Sequence, residues 1–194
     1  MSPRKAGTQE LTRDIIVQKA RIMFVEKGYQ AISMRGLAKE LACSHGAIYY
    51  HFKNKAELFY AIVDEGFAAL NQRIEETLKG NEQENQKLHR LMLRFIEFGL
   101  DNQSQYEMMF MQREKEVDSL SRQAANLSYE KFAQAVQALS ANKLKLSSIW
   151  FAFLSLHGFV SHYHGVVDGF APAETAAEYH VQFIINGLEK NSSF

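Results

Sequence analysis

The chain has 194 residues, with 22 Lys and Arg against 22 Asp and Glu, and a single cysteine. That length supports one or two domains with a real core. The lone cysteine excludes an intrachain disulfide, and no apolar run reaches the roughly 20 residues that a membrane-spanning helix needs. With no secretory-type opening segment, the expectation is a cytoplasmic protein, and two prolines without any period-two alternation point to an all-α fold.

Residues 1–10 are polar, carry Pro3 and Gly7, and read as a disordered basic arm. Arg4 and Lys5 could reach a DNA minor groove, or the arm could be a solvated tail. Thr12 then suits an N-cap, with Asp14 in the first turn, and Ile16, Ala20, Met23 and Phe24 form the apolar stripe of a helix ending at Gly28. Ser33 can cap a second helix with Leu37, Ala38 and Leu41 on one face, stopping near Ala42. Ser44 can cap a third, in which Ile48 and Phe52 point back while His45, Gly46, Ala47, Tyr50 and His51 face out. Two short helices joined by a tight turn have the geometry of a helix-turn-helix, whose second helix enters the major groove.

Such a helix pair occurs in many helical proteins, and the charge distribution separates the readings. Residues 1–55 hold ten Lys and Arg against four Asp and Glu, a net of plus six, so the neutral chain is minus six over the remainder. The outward face of the third helix has no acid, and Lys53 and Lys55 follow it. A basic, donor-rich, acid-poor face is the electrostatic footprint of a nucleic-acid module rather than of a solvated surface.

The run Gly28-Tyr29, Ser33, Leu37-Ala38, Ser44, Tyr49-Tyr50-His51-Phe52 and Lys53-Asn54-Lys55-Ala56-Glu57-Leu58 resembles the N-terminal domain of the TetR family of bacterial transcriptional regulators. The resemblance covers roughly Leu11 to Ala61 and implies a helix-turn-helix domain over 11–57 and a helical ligand-binding and dimerisation domain over 58–194. It implies DNA contacts from Ser33 and Arg35 at the start of the first helix of the pair, with Ser44 heading the second. Groove-facing positions then fall on His45, Gly46, Ala47, Tyr50 and His51, and phosphate-contacting positions on Tyr49 and Lys55. Two positions depart from the family pattern. Ala42 stands where the turn usually has Gly, and a left-handed backbone there would cost it roughly 1 kcal/mol. Ala47 stands where a hydroxyl residue is frequent, which leaves the operator sequence open.

After Lys55 a long helix with Leu58, Phe59, Ile62, Val63 and Phe67 apolar should run to Thr77 or Lys79, ended by Gly80-Asn81, and could transmit rotation. A helix from about Asn85 to Asp101 follows, then the crowded run Tyr106 to Met111 and a polar, less regular stretch from Gln112 to Ser121. Another helix spans about 120–140 through Leu127, Phe132, Val136 and Leu139. The last two helices span about 145–166 and 172–190, with Pro172 suited to an N-terminal position.

Trp150 to Val160 is apolar nearly all round, so it must be buried on more than one side. With Tyr106 to Phe110 it is similar to a TetR C-terminal subfamily marked by Trp and then His-Gly, which implies a homodimer through the last two helices and a ligand among the earlier ones. Met92, Phe95, Phe98, Met109, Phe110, Trp150, Phe153 and His157 are the candidate pocket wall, suited to a small hydrophobic or aromatic effector; ordinary core is the alternative. His157, His162 and His164 lack the i, i+4 pair of a compact metal site, and neither a metal nor a cofactor is expected. Cys43 is either a small hydrophobe in a turn or a redox-sensitive neighbour of the third helix. The leading reading is a dimeric repressor released from a near-palindromic operator. The alternatives are an enzyme, for which no catalytic constellation is visible, and a helical protein-interaction adaptor.

Overall fold

A computed structural model describes residues 11–112, 118–141 and 143–191. The arm at residues 1–10, with Arg4 and Lys5, lies outside the described residues, as do residues 113–117 of the irregular stretch. Among the described residues every regular element is helical: α1 Arg13–Lys27, α2 Met34–Glu40, α3 His45–His51, α4 Lys55–Lys79, α5 Glu84–Asp101, α6 Gln103–Tyr106, a π-helical turn Glu107–Met111, α7 Asp118–Leu139, α8 Leu146–Tyr163, a 3-10 turn Ala171–Ala173 and α9 Glu174–Asn191. No helix among them is long and apolar enough to cross a membrane. The chain divides into two compact units within α4, the first reaching Ile62 and the second beginning at Val63.

In the first unit, helix starts are set by side-chain caps. Thr12 Oγ1 accepts from Ile15 N at 3.3 Å, Ser33 Oγ from Gly36 N at 3.0 Å and Ser44 Oγ from Ala47 N at 3.1 Å. Each satisfies a backbone donor that a helix start leaves free, at about 1 kcal/mol apiece. At α4, Asn54 Oδ1 accepts from Glu57 N at 2.8 Å, and Glu57 Oε2 reaches one residue further back to accept from Lys53 N at 2.7 Å. Ile16, Ala20, Phe24, Leu37, Ile48, Phe52, Leu58 and Ile62 form the buried core. Phe24, Tyr29 and Phe59 make a ring trio with centroids 5.1 to 5.6 Å apart. Ala42 has φ +50°, the left-handed conformation that glycine adopts most readily, and Cys43 N closes the end of α2 by donating to Ala38 O at 3.0 Å.

In the second unit α5 packs on α6, α8 and α9, and α8 pairs with α9. Three details differ from the sequence reading. Leu127, expected in the apolar stripe of α7, is 55% exposed, because the buried face runs through Ala124, Ser128, Phe132, Ala135 and Val136 and leaves Leu127 a turn aside. Helix α8 stops at Tyr163 rather than near Val166, since Gly165 adopts φ +72°. Pro172 lies within a short 3-10 turn ahead of α9, outside the α-helix itself.

Candidate nucleic-acid interface and effector site

The two caps leave α2 and α3 antagonistic in chemistry on their two sides. Leu37, Ala38, Ile48 and Phe52 are buried, while Ser33, Arg35, Ser44, His45, Gly46, Tyr49 and Tyr50 are exposed. Tyr50 is 86% exposed, a high value for a tyrosine held on a rigid helix. Its ring stands edge-on to His51 at 5.1 Å, and His45 stands edge-on to Tyr49 at 4.6 Å, so neighbouring rings brace one another. The only acid on α2, Glu40, has Lys19 at 3.3 Å and Lys27 at 4.0 Å, which cancels its charge. Phenol, imidazole and guanidinium donors on such a surface suit phosphate oxygens and base edges.

Three of the expected contact residues also have partners or cover within the unit. His51, expected to face out, is half-buried, and its Nε2 donates to Leu11 O at 3.1 Å, because the last turn of α3 meets the segment ahead of α1. Lys55 Nζ donates to Tyr29 O at 3.0 Å and sits 4.0 Å from the Tyr29 ring centroid. An ammonium has three donors, so these contacts orient the side chain without exhausting it. Ala47, expected to face out, is half-buried.

In the second unit the structure gathers most of the candidate pocket wall. Phe95, Phe110, Phe153 and His157 belong to one ring cluster, with Phe95 to Phe153 at 5.4 Å and Phe110 to His157 at 5.6 Å. Trp150, 42% exposed, joins it by stacking on Phe153 at 5.7 Å. Met92 and Met109 are buried, and Phe98 instead lies under the Arg73 guanidinium, 5.1 Å from its centroid.

Four members of the cluster lay outside the expected wall: Phe67, Tyr106, Tyr129 and Phe132. Tyr106 is fully buried, and its hydroxyl is 2.7 Å from His157 Nδ1 across 51 residues of sequence. Burial pushes the Tyr106 phenol well above its ordinary value and lowers the His157 imidazole. Both groups are therefore neutral near pH 7 and share one buried hydrogen bond. No local periodicity pairs these two residues, so only the fold reveals them. The other histidines have separate partners: His164 lies near Gln103 O and Glu107, and His162 against Tyr163.

The family described as bacterial regulatory proteins, tetR family, matches residues 16–62. The transposon Tn10 TetC protein of Escherichia coli is 48% identical over 50 residues, covering 26% of this chain and 25% of that protein. The HTH-type transcriptional repressor AcnR of Corynebacterium efficiens is 35% identical over 65 residues, covering 34% of this chain and 35% of that one. The match therefore spans only a quarter to a third of these relatives' length. A solved structure of a Rhodococcus sp. RHA1 protein of unknown function superposes with a TM-score of 0.76 at 20% identity, over 95% of this chain and 99% of that one, a likeness of fold. The matched family and relatives are regulators rather than enzymes. The capped α2 and α3, their acid-poor open face and the matched segment together make residues 16–62 of this chain an N-terminal helix-turn-helix domain of the TetR family.

Proposed function

We propose that the protein is a cytoplasmic DNA-binding transcriptional regulator, a homodimeric repressor whose α3 reads the major groove of a near-palindromic operator. The observation that carries this is the open face of α3, where His45, Gly46 and Tyr50 stand exposed on a helix held from behind by Ile48 and Phe52. Two such heads would address major-groove faces about 34 Å apart.

Dimerisation through α8 and α9 is supported by what those helices leave uncovered. Phe151 is 66% exposed and Phe183 75%, and Leu154 and Tyr179 are exposed beside them. These flank the contact in which His180 Nε2 lies 3.2 Å from Ser155 O. Gly158 and Gly187 share the face, and a Cβ on either would meet nothing within 4 Å. Each costs its helix about 1 kcal/mol relative to Ala with no close neighbour in the same chain to explain it, which suits close approach of a second copy. The ring cluster supports a small hydrophobic or aromatic effector, which would act only through its differential affinity for two conformations of the second unit.

The test is electrophoretic retardation of the DNA immediately upstream of the protein's own gene, at fixed salt, with and without hydrophobic small molecules. Specific retardation relieved by a compound is the expected result. No preference over unrelated duplex would overturn the reading.

A further inference from the structure

Arg73 on α4 is the anomaly of the second unit. Its Nη1 is shielded from solvent and has no hydrogen-bond partner. Among the described residues no carboxylate pairs with the guanidinium, which lies over the Phe98 ring, 5.1 Å from its centroid. A guanidinium cannot shed its charge, so an N–H of it that is shielded from solvent and has no acceptor favours an added anion.

The surroundings indicate which anion. Arg73 and Arg94 line a narrow cleft of about 10 Å³ whose other walls include Leu70, Ile74, Phe95 and Phe132. Arg94 already donates to Thr77 Oγ1 at 3.2 Å and has Glu76 at 3.8 Å, so Arg73 is the uncompensated charge. Phe95 and Phe132, 6.1 Å apart, also belong to the ring cluster, which makes the apolar wall continuous from the arginine to Phe153 and His157.

We infer that Arg73 is the anion-recognising end of a site for an amphiphilic carboxylate, whose apolar part lies along Phe95 and Phe132. This names the effector class of the regulator proposed above and rests on that reading. The fork of a guanidinium matches the two oxygens of a carboxylate. The cleft holds no more than a water-sized group as it stands, so the apolar part enters only as the rings move. That movement gives such a ligand a preference between two conformations, which a regulatory ligand requires.

The test is calorimetric titration of the full chain, without DNA, with octanoate and 4-phenylbutyrate and with the corresponding alcohols, 1-octanol and 4-phenylbutan-1-ol. At least one acid should bind about tenfold or more tightly than its alcohol, a margin set by charge-assisted hydrogen bonds. Arg73→Met should erase the preference and Arg73→Lys retain part of it, with helicity confirming that each variant folds. Should Arg73→Met not fold, the acid-against-alcohol comparison on the unaltered chain and Arg73→Lys decide. No binding of either acid, equal binding of acid and alcohol, or a preference that survives in Arg73→Met would each overturn the inference. Because the titration contains no DNA, its failure leaves the DNA-reading proposal standing, and loss of retardation leaves the titration standing.

Discussion

Replacing Tyr106 with Phe isolates one buried hydrogen bond. The ring keeps its neighbours, Phe110 at 4.6 Å and Phe95 at 6.1 Å, and only the hydroxyl 2.7 Å from His157 Nδ1 is lost. A neutral intramolecular hydrogen bond contributes about 1 kcal/mol net, and an acceptor left unpaired adds about 1 more if water cannot reach it. His157 is half-buried, with Ser161 Oγ 3.5 Å from its other nitrogen, so part of that penalty is recoverable. The expected loss is about 1 to 2 kcal/mol, a fall in Tm of roughly 2 to 8 °C for a chain of this size. Thermal and urea unfolding at about pH 7.5 measure it, and an unchanged midpoint would refute the pairing.

The same pair has a pH signature. Burial lowers the folded-state pKa of His157, so the unfolded chain binds the proton more readily. The contribution of His157 is therefore intact above the unfolded value near 6.5 and is lost as pH falls from there towards the folded pKa. Between about pH 7.5 and pH 5.5 the unaltered chain should lose more stability than His157→Gln does. Parallel curves for the two would contradict the buried neutral imidazole.

Ser44→Ala removes the cap on α3, whose Oγ accepts from Ala47 N at 3.1 Å. It should cost about 1 kcal/mol in chemical unfolding and weaken DNA retardation, whereas an unaltered midpoint would mean the cap is dispensable. Gly99→Ala would bring a Cβ to 2.6 Å from Val160 Cγ1 and 3.1 Å from Tyr106 Cδ2. Overpacking of about 1 to 3 kcal/mol then outweighs a helix-propensity gain of about 1, and a more stable variant would show that α5 and α8 can part there. Phe183→Glu places a charge on the exposed face of α9 and should turn dimer into folded monomer in sedimentation velocity; a dimer as strong as before would move the interface elsewhere.

The caps at Thr12, Ser33 and Ser44 and the α4 boundaries were readable because their chemistry is local, each a side chain and a backbone donor three residues apart. The exposed face of α3 followed from 3.6-residue periodicity and the absence of acids. What the sequence hid is pairing across distance. His51 reaches back 40 residues to Leu11, Lys55 reaches 26 to Tyr29, and His157 meets Tyr106 across 51. Leu127 misled because a leucine near the right phase was read as core, while the smaller Ala124 and Ser128 occupy the buried face. Arg73 carries no sequence signal at all; its meaning comes from the acceptor that its surroundings lack.

The most direct measurement of DNA reading by α3 is retardation of the upstream DNA by the unaltered chain and by Tyr50→Ala, at one fixed salt, beside an unrelated duplex. Tyr50 is 86% exposed and supports no core contact, so the variant should stay folded and dimeric. Its affinity for the specific site should fall about tenfold or more, the scale of a lost groove contact, with non-specific binding little changed. Equal binding of both proteins to the specific site would contradict the assignment of α3 as the reading helix.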